Sequence, residues 1–411
     1  MNVVVIGAGF AGACAAWLLR ERLGTQVRVT VLEQAPAPGG MLRTFRTESG
    51  LPWEYGPRVV SVFRGTPDAL PFLRRFLRLQ ERQIYQGTRL RPEYPAIPFP
   101  VDRASLTALP CGAQIDREIA AIAAAGLPPR DGSLRDYLES SVGPTLTELA
   151  FAGFNQKFWG RRIDDMPADW GRLRRLDRVA DHGDFRLPSV APHYYPEGGF
   201  EPLFAQLLDG FDVRYATTVT GLARGGDGGA RLTVATSDGA LPADLVVATG
   251  PIDDLLGHRF GPLEWRGYRV EVEELEASDG APLGRAPDGV PFAWLYTPWA
   301  ETPVCRTTSF GTIHHGADHT GPSVVLREIV DDGVRMYPVW WEDERFRRYL
   351  RAAAEIPGLV PLGRLGLYKY VTIDSTYAMA LRFVDALEEL LSGDVERRCE
   401  LLDHFRGDWS N

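Results

Sequence analysis

The chain has 411 residues, of which 45% are hydrophobic and 24% are charged, and its formal net charge at pH 7 is −9. This length exceeds what one hydrophobic core usually supports, so we expect two or three domains. The acidic balance argues against nonspecific binding to nucleic acid, and the sequence has no apolar run of about 18 residues that would predict a membrane span. No secretory signal pattern is present and the cysteines have no CxxC spacing, which favours a cytoplasmic protein with packed thiols.

The first predicted elements are an apolar strand, a glycine-rich turn and an apolar helix, in MNVVVIGAGFAGACAAWLL. Gly7, Gly9 and Gly12 have the spacing of a dinucleotide-binding turn, where glycines allow a tight turn, close approach of a pyrophosphate and close helix–strand packing. The next strand, VRVTVLE, ends at Glu33, near where a ribose-binding acid is expected. Gly40, in APAPGGMLRT, belongs to a second close-backbone turn. The pattern predicts a cofactor-binding flavoprotein framework.

The middle of the chain changes character twice. Residues 66–145 are rich in Leu, Ala and Arg at helical spacing, which predicts an inserted helical bundle. From about residue 211, short β-rich runs bounded by turn residues lead back to the dinucleotide-binding part. Residues 251–344 mix strands with aromatic runs such as VPFAWLYTPW, which predicts a sheet with an aromatic face that either lines a cleft or forms a core.

Together these elements predict an α/β protein with a Rossmann-like dinucleotide-binding flavoprotein framework, an inserted helical bundle and an antiparallel β-sheet domain. The predicted boundaries are 1–65, 193–250 and 345–411 for the dinucleotide-binding part, 66–145 for the helical part, and 146–192 and 251–344 for the sheet domain.

Five segments of the chain form a recognisable pattern, in this order: the turn at 7–12, GFNQKFWGRRIDDMP at 153–167, YYPEGGFEPLFAQLLDGFDVR at 194–214, ATGPIDDLLGHRFGPLEWR at 248–266 and GRLGLYKY at 363–370. Together they resemble the UDP-galactopyranose mutase family. The resemblance spans nearly the whole chain. It implies a flavoprotein fold that converts a nucleotide-bound hexopyranose to its furanose, with a nucleotide-diphosphate sugar as its partner.

The resemblance also implies roles for individual residues. Substrate contacts are expected at Phe154, which falls where the family has a base-stacking tyrosine, and at Trp159, Tyr368, Tyr337 and Arg306. Catalytic roles are implied for Arg306, Tyr337 and a loop arginine that is either Arg174 or Arg175. Arg58, where the family has a histidine, is a further catalytic candidate, and cofactor contacts are expected at Gly7, Gly9, Gly12, Glu33, Gly40 and Arg364. Arginine suits a diphosphate because its planar guanidinium binds phosphate oxygens bidentately and keeps its charge when desolvated.

The chain departs from the family pattern around the flavin ring and the sugar. Arg58 and Ser61 stand at two histidine positions beside the flavin, Pro100 stands at an asparagine position beside the sugar, and Val371 replaces a tyrosine near the reaction centre. We therefore expect a mutase without the family's flavin chemistry, in which arginines and a divalent cation, Mg²⁺ or Mn²⁺, stabilise the departing diphosphate.

The sequence does not exclude FAD binding, but we do not expect FAD to be required. The metal ligands stay unknown, because His314, His315, Asp318 and His319 in a glycine-rich turn are a weak signal.

Three other functions fit the same residues. The chain could be a standard mutase that depends on reduced FAD, an FAD-dependent amine oxidase or desaturase-like oxidoreductase, or a nucleotide-sugar-binding protein without catalysis. The sequence does not determine the nucleobase (uracil or guanine), the hexose or the oligomeric state, although it allows a homodimer.

Overall fold

The structure is a computed structural model. It describes residues 1–61, 66–101, 103–126, 130–174, 193–225, 232–276 and 281–407.

The strands, in chain order, are β1 (Asn2–Ile6), β2 (Arg28–Leu32), β3 (Phe45–Arg46), β4 (Pro52–Trp53), β5 (Val60–Ser61), β6 (Leu79–Arg82), β7 (Gln86–Thr88), β8 (Ile97–Pro98), β9 (His193–Pro196), β10 (Asp212–Arg214), β11 (Val219–Arg224), β12 (Leu232–Thr236), β13 (Gly239–Ala243), β14 (Leu245–Ala248), β15 (Trp265–Arg266), β16 (Tyr268–Leu275), β17 (Trp294–Tyr296), β18 (Val304–Ser309), β19 (Ser323–Val330), β20 (Tyr337–Pro338) and β21 (Leu359–Pro361).

The helices are α1 (Phe10–Leu23), α2 (Ala69–Leu73), α3 (Gly112–Ala125), α4 (Leu134–Val142), α5 (Pro144–Leu146), α6 (Gly153–Trp159), α7 (Ala168–Arg174), α8 (Glu201–Leu207), α9 (Ile252–Leu255), α10 (Phe310–His315), α11 (Asp343–Ala354), α12 (Gly363–Gly366), α13 (Ile373–Asp385), α14 (Leu387–Ser392) and α15 (Val395–Arg406). In the described part of the chain, none of them has the length and apolar character that crossing a bilayer requires.

A five-stranded parallel sheet with the order β10-β2-β1-β14-β21 forms the first layer of interest. Val3, Val4 and Val5 of β1 are almost fully buried, as expected for a central parallel strand that is covered on both faces. The carboxyl ends of parallel strands lie at one edge of a sheet, where α/β proteins bind their ligands. The loops after β1, β2 and β14 therefore meet at that edge.

A six-stranded sheet with the order β16-β19-β18-β17-β7-β8 forms the second layer of interest. Its pairings put Glu328 beside Arg306, Arg306 beside Tyr296 and Tyr296 beside Thr88. Directly paired residues point to the same side of a sheet. These four side chains therefore form one row across four strands.

This sheet differs from the sequence-based expectation in two respects. The β17–β7 pair is parallel within an otherwise antiparallel sheet. Segment 66–145, which helical spacing predicted to be a bundle, also contains β6, β7 and β8. These strands have two to four residues each, too few to show a period of their own, and β6 and β7 pair with strands far away in sequence, β9 and β17.

The last helices of the helical region, α5 and α6, lead to the six-stranded sheet, which α6 faces. α5 and α6 are joined by a π-helical turn, Thr147–Ala152. π-Helical turns are rare in proteins, and those that occur are often at functional sites. α6 carries Phe154 and Trp159, two of the residues predicted to contact substrate.

Candidate functional site

The glycine-rich turn after β1 has the geometry that its spacing predicts. Gly7 has φ +102°, and a Cβ there would lie 2.3 Å from Thr249 Oγ1. A Cβ on Gly12 would lie 1.9 Å from the Gly7 carbonyl oxygen, so Gly12 allows α1 to pack on β1. Gly9 differs, because a Cβ there would meet only the Cα of Gly40, at 3.8 Å. The space beside Gly9 is therefore open, whereas Gly7 and Gly12 are in close contact with their neighbours.

The acid and the second turn lie beside this opening. The Glu33 carboxylate accepts hydrogen bonds from the backbone N–H groups of Ala8 and Ala35, each at 2.8 Å. These bonds hold the carboxylate next to the first turn. Gly40 has φ +53°, and a Cβ there would lie 3.2 Å from the Cα of Gly9. Two chain segments thus come together through glycines, in the way a pyrophosphate cradle requires.

A cavity of about 660 Å³, which we call the turn cavity, begins at these residues. Its volume is within the usual range for ligand and cofactor sites. From the turn it extends past Thr249 to Arg58, Arg364 and Tyr370. The N-terminal residues of α13 line its far end.

A second cavity of about 300 Å³, the sheet cavity, lies between α6 and the six-stranded sheet. Its walls are mostly aromatic. The Phe154 ring is parallel to that of Phe158 with centroids 5.8 Å apart, and it meets the Tyr296 ring edge-on at 5.7 Å. Such an aromatic wall can stack on a planar ring.

The two cavities meet at Tyr370, which lines both. Its ring is parallel to that of Tyr337, with centroids 5.7 Å apart, and the Arg364 guanidinium lies 4.7 Å from the Tyr370 centroid. On the other side, Arg58 of the turn cavity donates a hydrogen bond of 3.4 Å to the hydroxyl of Tyr268, which lines the sheet cavity. We call this place the junction.

Three arginines and one carboxylate set the charge of the junction. Arg306 binds Glu328 through two hydrogen bonds, Nε to Oε1 at 2.9 Å and Nη2 to Oε2 at 2.8 Å. Arg58 donates to the Met41 carbonyl, and Arg364 to the carbonyls of Val371 and Met336.

Among the described residues, neither Arg58 nor Arg364 has a carboxylate partner. Two positive charges at the junction are therefore uncompensated, which favours a multiply charged anion there.

The pKa values at the junction follow from burial and from this pairing. Burial acts to lower the pKa of Arg306, but Glu328 together with the neighbouring tyrosine hydroxyls raises that pKa. For Arg58, burial also acts downward, and Tyr268, Tyr337 and Glu328 together raise its pKa. Burial lowers the pKa of Arg364. Burial raises the pKa of the Glu328 carboxyl, and Arg306 opposes this.

Most residues predicted for the site lie on the two cavities. The turn cavity is lined by Gly7, Gly9, Glu33, Gly40, Arg58 and Arg364, and the sheet cavity by Phe154, Trp159, Arg306 and Tyr337. Gly12 lies behind the turn, where it supports packing.

Tyr368 requires a correction. It lines neither cavity, is fully buried, accepts a hydrogen bond from the Val339 N–H at 3.2 Å and donates one to the Glu264 carbonyl. Tyr368 thus packs in the core, and Tyr370, two residues later, is the tyrosine that reaches the cavities.

The choice between Arg174 and Arg175 as the loop arginine stays open. Arg174 is the last residue of α7, and its side chain lies outside the described part of the structure, as does the whole of Arg175.

The histidine cluster is not supported as a metal site. Within the described residues, the grouping whose ligand atoms lie close enough for one ion is Asp253, Asp254 and His258 instead. Arg335 already pairs with Asp254 at 2.7 Å and lies 3.7 Å from Asp253. His314 is buried, with its Nε2 3.3 Å from Glu54, and His315 stacks on His319.

Sequence reasoning missed Tyr370, Tyr296 and Glu328. Tyr370 was within reach, because it lies in the matched segment GRLGLYKY and only the choice between its two tyrosines was wrong. Glu328 had no local signal, since it is one charged residue within the strand SVVLREIV. Its importance arises from pairing with a strand neighbour 22 residues away.

Comparison with known proteins agrees with this geometry. The model of the family described as flavin containing amine oxidoreductase matches residues 10–284, more than half of the chain. The chain therefore belongs to that family, and the predicted Rossmann-like flavoprotein fold is confirmed.

The predicted resemblance to UDP-galactopyranose mutase is confirmed as well. The chain is 23% identical over 399 residues to a dTDP-fucopyranose mutase from Escherichia coli, covering 91% of this chain and 94% of that protein. It is 22% identical over 251 residues to a UDP-galactopyranose mutase from Mycoplasma pneumoniae, covering 58% of each. The crystal structure of a reduced UDP-galactopyranose mutase superposes with a TM-score of 0.73 at 16% identity, over 99% of both chains.

A dinucleotide cofactor such as FAD fits the first half of the turn cavity. Gly9 leaves its space open to the cavity, and Glu33 and Gly40 lie beside it. These residues would hold the ADP part. At the other end the cavity wall presents the guanidinium groups of Arg58 and Arg364.

Proposed function

We propose that this protein interconverts the pyranose and furanose forms of a nucleotide-diphosphate hexose. The observation that carries the proposal is the junction, where the cavity walls present Arg58, Arg306 and Arg364 and where, among the described residues, Arg306 alone of the three is paired with a carboxylate, that of Glu328. A diphosphate attached to a sugar matches this excess of positive charge, and the adjoining aromatic wall matches a nucleobase. The mutase relatives support the same class of reaction.

The arginines would act by stabilising a leaving group. When the bond between the anomeric carbon and the diphosphate breaks, negative charge develops on the diphosphate, and fixed guanidinium groups in a closed site stabilise it. The sugar's own 4-hydroxyl can then attack the anomeric carbon. The bond from the anomeric carbon to the original ring oxygen then breaks, and the diphosphate, held in place, bonds to that carbon again to give the furanose. Phe154 and Trp159 would hold the nucleoside during this exchange.

We further propose that the reaction does not require the flavin chemistry usual among the relatives. A reduced flavin bound in the turn cavity would supply a nucleophile for the anomeric carbon. In this chain Arg58 takes a histidine position of the family pattern, and its guanidinium is fixed at that end by the Met41 carbonyl and the Tyr268 hydroxyl. A fixed guanidinium there can pair with a diphosphate oxygen.

A divalent cation is the remaining part of the proposal. Mg²⁺ commonly binds through substrate phosphates and few protein ligands, so it would lie on the diphosphate. The group of Asp253, Asp254 and His258 is a poor alternative, because Arg335 already pairs with both of its carboxylates.

Product chromatography tests these points separately. Purified protein is incubated with UDP-, GDP- and dTDP-hexopyranoses, with and without FAD plus dithionite, and with EDTA or added Mg²⁺. We expect furanose product without flavin and loss of product in EDTA. Product only with reduced FAD, unaffected by EDTA, would instead identify a standard flavin-dependent mutase.

Family membership supports one other function, an FAD-dependent amine oxidoreductase. That function predicts a yellow protein that oxidises an amine and reduces O₂ to hydrogen peroxide. The visible absorbance spectrum and a peroxide assay over an amine panel distinguish the two. The charge of the junction argues for the mutase, because two unpaired guanidinium groups repel a cationic amine.

A further inference from the structure

Exchanging the ring oxygen of a sugar requires moving a proton as well as holding a diphosphate. As the 4-hydroxyl attacks the anomeric carbon, O4 must lose its proton. When the original ring opens, O5 must gain one. A group that accepts and returns a proton near neutral pH is therefore needed beside the sugar.

The sheet cavity has one group of this kind among its described lining residues. Glu328 is the single carboxylate there, and no histidine lines the cavity. Burial raises the pKa of the Tyr296 phenol, as it does for Tyr268, and it raises the pKa of the Cys305 thiol to about 12. These groups keep their protons near neutral pH.

Glu328 is well placed for the exchange. Its side chain is 2% exposed, and its two oxygens are held by Arg306, one of the arginines expected to grip the diphosphate. The reacting carbon is bonded directly to that diphosphate, so the carboxylate lies near it. A bidentate arginine uses two of about four acceptor positions on a carboxylate, which leaves room for a sugar hydroxyl.

The backbone is shaped around this pair. A Cβ on Gly56 would lie 2.4 Å from Glu328 Oε1 and 2.9 Å from Arg306 Nη2. Only glycine allows the chain to pass here, and it has φ +76°. Gly56 thereby closes one side of the carboxylate and leaves the cavity side for a ligand.

We propose that Glu328 is the proton shuttle of the mutase, taking the proton from O4 and delivering it to O5. This rests on the proposed function. In the first half, the bond from the anomeric carbon to the diphosphate breaks, the electron pair stays on the diphosphate, O4 bonds to the anomeric carbon, and the O4 proton moves to Glu328. The intermediate is a bicyclic anhydro sugar.

In the second half, the bond between the anomeric carbon and O5 breaks, O5 takes the proton from Glu328, and a diphosphate oxygen bonds to the anomeric carbon. The carboxylate returns to its initial charge. The exchange consumes no oxidant or reductant, and the proton is conserved within the site.

The test compares Glu328→Gln with Glu273→Gln. Glutamine keeps the shape of Glu328 and an acceptor for Arg306 but cannot carry the proton. Glu273 is the matched control, a carboxylate paired with Arg327 across the neighbouring strand of the same sheet, with an exposed side chain. We expect furanose formation to fall about 10²–10⁴-fold in Glu328→Gln and to stay within twofold in Glu273→Gln.

Positional isotope exchange separates this role from a structural one. In a pyranose substrate with ¹⁸O in the bridge between sugar and diphosphate, departure and return of the diphosphate scrambles the label. We expect Glu328→Gln to bind UDP or GDP at least as tightly as wild type and to keep scrambling the label while it forms little furanose.

The outcomes differ for the two proposals. If wild type forms no furanose and scrambles no label, the proposed function is wrong. If wild type forms furanose and Glu328→Gln does so within about tenfold, the shuttle is wrong and the mutase stands. Loss of nucleotide binding and of label scrambling in Glu328→Gln, with Glu328→Asp equally inactive, would also overturn the shuttle, since Glu328 would then only position Arg306.

Discussion

The two ends of the turn cavity are built in different ways. The end at the glycine-rich turn is made of backbone, with Gly7, Gly9 and Gly40 close together and Glu33 held by two backbone N–H groups. The junction is made of side chains, where arginines lie among tyrosine rings and Arg306 is paired with Glu328. A backbone site depends on local turns and tolerates change elsewhere. A side-chain site can be given different chemistry by a few substitutions, which explains how one framework carries more than one reaction.

The largest effect should come from breaking the charge pair of the junction. Arg306→Ala leaves the buried Glu328 without its counter-ion, and removing one partner of such a pair costs about 3–5 kcal/mol of unfolding free energy. Turnover should also fall about 10²–10³-fold, because a donor to the leaving group is lost. Urea unfolding and product chromatography measure the two effects.

Arg327→Ala is the control for that change. Arg327 lies on the same strand pair but is bound to Glu273 at the surface, where side chains are 42% and 46% exposed. An exposed pair of this kind contributes about 0–1 kcal/mol. If Arg306→Ala were as stable and as active as Arg327→Ala, the junction would have no role in either property.

Arg58→Met should separate function from stability at the same place. Arg58 has no carboxylate partner among the described residues, so its removal leaves no buried charge unpaired. We expect turnover to fall about 10²-fold, with unfolding free energy changed by about 1 kcal/mol or less. Calorimetric titration with UDP and GDP should show weaker binding that depends less on salt. Unchanged affinity for both would remove Arg58 from the diphosphate site.

The role of the end of the turn cavity at the glycine-rich turn can be tested with two glycines that differ in their surroundings. Gly12→Ala places a methyl group 1.9 Å from the Gly7 carbonyl, so it should destabilise the fold by more than the ~1–3 kcal/mol typical of overpacking. Gly9→Ala points into open space and should fold normally but bind ADP more weakly. Thermal unfolding and ADP titration compare the two variants. Equal destabilisation by both would mean that Gly9 serves packing rather than ligand access.

The same difference explains how much of this molecule the sequence could predict. The glycine-rich turn after β1 could be predicted because its glycines, its strand and Glu33 lie within 33 consecutive residues and act through local geometry. Arg306 and Phe154 were found only because a family pattern gave them a register. The domain boundaries, which were read from composition, stay a prediction.

Glu328 and the choice of Tyr370 over Tyr368 could not be read from the chain. The first depends on the pairing of β18 with β19, and the second on which of the two tyrosines faces the cavities and which is buried in the core. Tyr368 has φ +45°, a backbone conformation that a non-glycine residue rarely adopts and that no sequence period marks. This turn separates a core tyrosine from a cavity tyrosine two residues later.

Hydroxyl removal at these two tyrosines should give the smallest and most specific effects. Tyr368→Phe leaves the Glu264 carbonyl and the Val339 N–H without their partner in the core, which should cost about 1–3 kcal/mol of unfolding free energy while activity stays close to wild type. Tyr370→Phe keeps the ring against Tyr337 and Arg364, so stability should change little, whereas a polar group is lost where the cavities meet. We expect its turnover to fall several-fold. The reverse pattern, with activity lost in Tyr368→Phe and stability lost in Tyr370→Phe, would return Tyr368 to the substrate site and place the junction elsewhere, because the residue in contact with substrate should affect rate more than folding.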